Sequence, residues 1–449
     1  MLLEFKVSNY RSIGEEQTIS LIPAPKQKDH IQNIINKGRY QALNAISLYG
    51  PNGGGKSNIL KAMSLLDRLV HISARTSSTT RLPYDPFLLR DGWSEKPTGF
   101  EISFVIEENR YRYGLEFTAS EIIKEWLFRK SLGREVNLFE RERETIDISS
   151  GFNGSKKIID AAIEATRNNA LFLSTCDMLN IEEAKNIMKW FKHFNMIDGL
   201  NIEEDIRTVS LSESQEYNEK IRQYLISLGL GIFDVQITTK DFEESELPAD
   251  MPEKMRAQLV EKLKGSQSYS VYALHKVYDS EGKPTEKKYS WDFNERESAG
   301  TQKAFKLSGP VLWALANGGI LIIDEIEAAM HPIMTLNTID LFLNEQSNPN
   351  NAQLIFATHD TNLLSYSKLR RDQICFAEKN KWESTELFSL SDFVYFGEKN
   401  GEFKSEKERP DTDKEKRYFE GRYGAIPALG NFQRFIRNTN GKERQIKKS

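Results

Sequence analysis

An α/β fold with a mixed sheet, an antiparallel β subdomain and a helical insertion is predicted by three observations. Short apolar runs at residues 45–49, 320–323 and 354–357 suit strands buried between helical layers, and stretches of helical periodicity accompany them. Strict alternation at Phe100, Ile102, Phe104 and Ile106 is answered, after Glu107-Glu108-Asn109, by Tyr111, Tyr113, Leu115 and Phe117, which marks an antiparallel hairpin. Residues 155–265 are mostly of helical pattern, with segments near 157–167, 181–194, 213–228 and 251–264; in the last, Met251, Met255, Leu259 and Leu263 recur every four positions.

Along the chain, 2–7 and 17–22 are expected as short strands around the turn-prone Asn9-Tyr10-Arg11-Ser12-Ile13-Gly14. After the strand at 45–49, Ile59, Leu60, Ala62, Met63, Leu65, Leu66 and Leu69 share one helical face. Residues 72–98, rich in Ser, Thr, Pro and Asp, are expected as a connecting loop, and 399–417, dense in charge, as a solvated one. Strands at 268–278 and 287–293 flank the turn Asp279 to Pro284. The division expected is 1–150 and 266–449 as two halves of one head, with 151–265 inserted between them and too short in heptads for a coiled-coil arm.

Bulk composition excludes several classes. Lys plus Arg (61) nearly cancels Asp plus Glu (65), so a protein that coats nucleic acid is not indicated, though a local basic patch such as the tail from Arg434 stays open. Cys176 and Cys375 are too few and too far apart for a disulfide framework or a zinc site. No apolar run reaches the ~18 to 20 residues that span a bilayer, and the start lacks the long apolar stretch of a signal peptide, so a cytoplasmic location without membrane contact is expected.

Four motifs carry chemistry. Gly50-Pro51-Asn52-Gly53-Gly54-Gly55-Lys56-Ser57 fits GxxxxGKS between a strand and a helix. Its backbone amides, continuing to Asn58, would wrap phosphate, Lys56 would charge-pair the β and γ phosphates, and the Ser57 hydroxyl would meet Mg²⁺. The apolar run Ile320 to Ile323 delivers Asp324, a Mg²⁺ carboxylate acting through water, and Glu325, a group that can polarise the attacking water. Leu354-Ile355-Phe356-Ala357 ends in Thr358-His359-Asp360, which sets His359 where a γ-phosphate could be sensed. Of the remaining histidines, His275 in its hairpin is expected to be structural, and His331 before Pro332 to cap a turn. Ser298-Ala299-Gly300, before a helix at about 302–316, can make an anion site or simply an N-cap.

The order glycine loop, Glu297-Ser298-Ala299-Gly300-Thr301-Gln302, Asp324-Glu325 and Thr358-His359-Asp360 resembles ABC/SMC-type P-loop ATPase heads, as in SMC proteins, break-repair ATPases and OLD-family proteins. Phe5 to Ser12, Asp324-Glu325-Ile326-Glu327 with His331-Pro332, Arg371 to Ile374 and Gly421 to Pro427 resemble the AAA-family ATPases of bacterial defence islands, the RloA type, which are encoded beside an RloB-type, TOPRIM-like partner. The resemblance implies ATP and Mg²⁺ as cofactors, catalytic roles for Lys56, Glu325 and His359, and a head-to-head homodimer, or a higher oligomer, with ATP sandwiched between subunits. Ser298 and Gly300 of one copy would then touch the γ-phosphate held by the other. The signature departs from the transporter form, and the Pro86-Phe87 region, where a Q-loop glutamine would be sought, has none.

The expected function is an ATPase that gates a nucleolytic or toxic effector during phage infection. About ninety residues follow His359, short for a TOPRIM domain of ~100 residues plus linker, so the effector is expected on a separate chain. A repair ATPase acting on DNA, and a scaffold that binds ATP with little turnover, are the alternatives.

Overall fold

The computed structural model describes residues 1–25, 27–198, 206–248, 250–265, 267–366, 368–399, 402–407 and 412–426. At its centre is a six-stranded sheet in the order Phe194–Asp198, Ile320–Asp324, Gln353–Ala357, Ala45–Tyr49, Ile374–Lys379, Thr385–Ser389. The first five strands run parallel and the last antiparallel, which makes the sheet mixed. Side chains alternate across it as strand geometry requires. Ile46, Leu48, Ile320, Ile322 and Ile355 join one core with the helix Lys56–Ile72, while Ala45, Tyr49, Leu321, Ile323, Leu354 and Phe356 join another with the helices Ala299–Asn317 and Pro332–Leu343. With both faces covered, the inner strands read as mostly apolar runs, and the buried exceptions Ser47 and Gln353 are hydrogen-bonded to backbone carbonyls.

Beside this sheet lies a seven-stranded antiparallel one, ordered Thr145–Ile148, Glu135–Glu142, Ile122–Lys130, Asn109–Phe117, Thr98–Ile106, Leu2–Ser8, Gln17–Ser20. The expected hairpin is its middle, with Phe100 opposite Leu115 and Ile102 opposite Tyr113. Its continuation through residues 122–148 was not expected. The buried acid Glu125 interrupts the apolar pattern there, and shifts of register at Glu116/Phe117 and Leu127/Phe128 break the two-residue period. Gln353 ties the two sheets together: its amide donates to the carbonyls of Leu2 and Leu43 and accepts from the Leu2 amide. A further hairpin, Ile34–Lys37 with Tyr40–Leu43, also lay outside the reading of the sequence.

The stretch expected to be mostly helical holds the helices Lys156–Ala165, Phe172–Met178, Glu182–Phe191, Ile206–Ser212, Gln215–Ser227 and Glu253–Leu263, but two strands as well. The segment expected to stay helical to 194 stops at Phe191. Phe194 and Met196 then face one core and Ile197 the other, so the chain enters the central sheet beside Ile320–Asp324. Asp234–Asp241 pairs with the expected hairpin of Gln267–Tyr278 and Pro284–Asp292. The helix Glu253–Leu263, which carries the four-residue stripe, holds no fully buried residue, and Met255 is 55% exposed.

Two loops are corrected. Within 72–98, Phe87 and Trp93 are buried and stack edge to face. The charged segment 399–417 contains the strand Glu402–Lys407, paired with Val394–Lys399, and most of the helix Lys414–Phe419. The basic tail from Arg434 lies outside the described residues.

Candidate functional site: a phosphate cleft at the strand ends

The glycine loop leaves the sheet after Tyr49 and wraps into the helix Lys56–Ile72. Two of its glycines are forced by close approach. Gly50 has φ 148°, and a Cβ there would sit 2.1 Å from the Ala377 carbonyl oxygen; Gly55 has φ 105°, and its Cβ would sit 2.0 Å from Thr385 Oγ1. The neighbouring strands thus hold the loop by its backbone. Thr385 donates its hydroxyl to the Gly54 carbonyl at 3.0 Å and lies 2.9 Å from Ser12 Oγ, which accepts from the Asn58 amide at 2.7 Å. Asn58 is therefore a brace of the loop, joined to the turn at Asn9 to Gly14. No side chain caps the helix at Gly55, so its first amides are available to an anion.

Lys56 is buried at 4% exposure. Its ammonium donates to the carbonyls of Gly50 (2.7 Å) and Pro51 (3.2 Å) and lies 3.5 Å from His359 Nδ1. Burial pushes its pKa down to about 8, against the opposing pull of Asp324, Glu327 and Glu325. Burial, and then the nearby Lys56 charge, hold His359 below the ordinary histidine value, so the ring is neutral at pH 7.

Asp324 and Glu325 stand at the carboxyl end of their strand, where open α/β sheets place ligands. Glu325 adopts left-handed backbone, φ 51°. The turn is locked because the Ile326 amide donates to the Ala357 carbonyl. Gly50 to Gly54, Glu325, Thr358 and His359 line one cleft of about 1060 Å³, together with Thr361, Lys379 and Phe419. That is at the upper end of the range for small-molecule sites.

Mg²⁺ fits the donors present. Asp324 is buried, and its Oδ1 has no hydrogen-bond partner among the described residues. With the Ser57 hydroxyl it offers hard oxygen ligands. No cluster of three or more His, Cys, Asp or Glu residues that could hold a metal occurs among the described residues.

Ser298, Ala299 and Gly300 are not in the lining of this cleft. Ser298 caps the helix Ala299–Asn317, its Oγ accepting from the Thr301 amide. Gly300 is pressed against the turn after Glu325, where a Cβ would meet the Ala329 carbonyl at 2.7 Å. His275 stacks on Trp291 and bonds Glu297, and His331 caps its helix through the Ile333 amide, both structural as expected.

Three residues of the site were missed. Lys303 donates to the carbonyls of Glu325 and Ile326 at 3.0 and 3.1 Å. Its signal was in the sequence, since it falls on the buried stripe of Leu307, Val311 and Ala314, where a charge needs a purpose. Glu327 accepts from the His359 amide, and Thr385 supports the loop from about 330 residues away; neither is visible without the fold.

Residues 46–153 and 250–365 match the family described as "AAA domain, putative AbiEii toxin, Type IV TA system". No curated protein matches the chain. Among solved structures, "Structure of the recombination mediator protein RecF-ATPrS in RecFOR pathway" matches at 13% identity and a TM-score of 0.30, covering 86% of this chain and 98% of that one. The ATP complex of the same protein matches at 14% identity and a TM-score of 0.29, over 80% and 94%. With its glycine loop, Glu325 and His359 on one cleft of a mixed sheet, the chain has the fold of an ABC/SMC-type P-loop ATPase head.

Proposed function

We propose that the chain hydrolyses ATP in a site completed by a second copy, and that this cycle gates a separate effector, a nuclease or toxin, in defence against phage. The observation that carries the hydrolytic part is that Glu325 and His359 line one cleft with the glycine loop, the buried Lys56 ammonium lying 3.5 Å from His359 Nδ1. Lys56 and the loop amides hold the triphosphate. Ser57 and Asp324 would hold Mg²⁺, which supplies charge neutralisation at the phosphates when bound. Glu325 orients and polarises the attacking water, and the neutral His359 donates to the γ-phosphate. The defence reading is supported by the toxin-system description of the matching family.

Steady-state phosphate release tests the chemistry: wild-type protein should turn over ATP, and Lys56→Ala should abolish it. A wild-type chain that binds ATP without turnover would leave only the scaffold reading. Gating is tested by phage challenge of cells carrying the gene with its neighbours, where Lys56→Ala and Glu325→Gln should each remove protection. A repair ATPase would instead show hydrolysis stimulated by DNA and weakened by salt.

A further inference from the structure

We infer that Glu327 is a positioning residue for hydrolysis, holding His359 in place through its backbone amide. The inference rests on the hydrolytic reading above and adds to it a residue two places beyond the proposed water-activating glutamate. The His359 amide has left the sheet: the ladder ends one residue earlier, where Thr358 donates to the Leu48 carbonyl. In place of a strand partner it has a carboxylate, Glu327 Oε1, at 2.6 Å. A bond to a charged acceptor is shorter and about twice as strong as a neutral one.

Backbone geometry aims Glu327 there. The left-handed turn at Glu325 (φ 51°) reverses the chain, and the bond from the Ile326 amide to Ala357 lays the turn over the strand that carries the histidine. Lys303 clamps the same turn from the other side through the Glu325 and Ile326 carbonyls. Glu325 and His359, proposed to act on the attacking water and on the γ-phosphate, therefore share one short support. The second oxygen of Glu327 is buried without a hydrogen-bond partner among the described residues.

Misplacing a reacting group by about 1 Å can cost roughly 100-fold in rate. Glu327→Ala should accordingly lower kcat by about 10- to 100-fold while the KM for ATP stays within about threefold, the pattern of an interaction realised in the transition state. Glu327→Gln, which keeps an acceptor oxygen, should recover most of the loss. The deciding measurement is a double-mutant cycle on turnover: in a His359→Ala background, Glu327→Ala should cost nothing more. Multiplicative losses, or a loss that tracks a fall in melting temperature across all variants, would overturn the assignment. A wild-type protein without turnover would overturn the hydrolytic reading and this one together, whereas multiplicative losses on an active wild type would overturn this one alone.

Discussion

Lys56 is held in a place where a lysine is least comfortable, and this makes nucleotide binding depend on pH. With a pKa of about 8 in the free protein, against an ordinary 10.5, it is charged below pH 8 and neutral above. Phosphate binds the charged form and raises the pKa again. ATP affinity should then be flat below about pH 8 and fall by up to roughly tenfold per unit above it, as titration calorimetry from pH 7 to 9.5 would show. The sign for stability is opposite. Between pH 8 and 10.5 the unfolded chain carries the extra proton, so the ligand-free fold gains stability as pH rises through that window. The loop glycines give a second test at this scale. Gly55→Ala sets a side chain against Thr385 in backbone that L residues rarely adopt. It should cost ATP binding at least as much as Lys56→Ala does, measured by nucleotide fluorescence.

The joint between the antiparallel sheet and the helical segment is one buried constellation. Glu125, fully buried, accepts from Tyr113 and from the amides of Phe172 and Leu173, and lies 3.6 Å from Arg141, which in turn donates to the carbonyls of Ala170 and Arg167. Glu125→Ala strands the buried Arg141 charge and two helix amides. Breaking such a pair costs roughly 3–5 kcal/mol, to be read from urea unfolding; Glu116→Ala, at a half-buried position of the same sheet, should cost far less. The same residue explains what the sequence hid. Elements announced by apolar period or glycine chemistry were legible: the strand and helix around the loop, the Phe100–Phe117 hairpin, the strands delivering Asp324 and His359. Ile122–Lys130 was not, because a buried acid whose partners are 12, 16 and 47 residues away looks like a surface charge. Phe194–Asp198 was hidden differently, by following a helix without a glycine or proline to mark its end. In the site, residues that touch phosphate in the resemblance could be read from motif alone. Those that hold the motifs, Thr385, Lys303 and Glu327, act across the fold, and only Lys303 betrayed itself.

At the scale of the molecule, the cleft is half of what the motifs describe. Ser298, Ala299 and Gly300 are not in the cleft lining; Gly300 lies against the turn after Glu325, and the helix N-terminus is already capped by Ser298 itself. In the proposed function, the phosphate they serve belongs to another copy. Glu325→Gln is the variant that isolates this step. It preserves shape and the left-handed turn while removing the charge that activates water, so binding should survive and hydrolysis should stop. Assembly driven by ATP would then accumulate, since nothing discharges it. Light scattering with ATP and Mg²⁺ should give twice the 51.6 kDa of one chain for Glu325→Gln, and a single chain without nucleotide. Ala299→Arg in that background should return it to a monomer while leaving ATP binding intact, because Ala299 is exposed on its own chain and the arginine would occupy the partner's phosphate position. A Glu325→Gln protein that stays monomeric at saturating ATP would overturn the shared site. A dimer that forms equally without ATP would show an interface built on something other than the nucleotide.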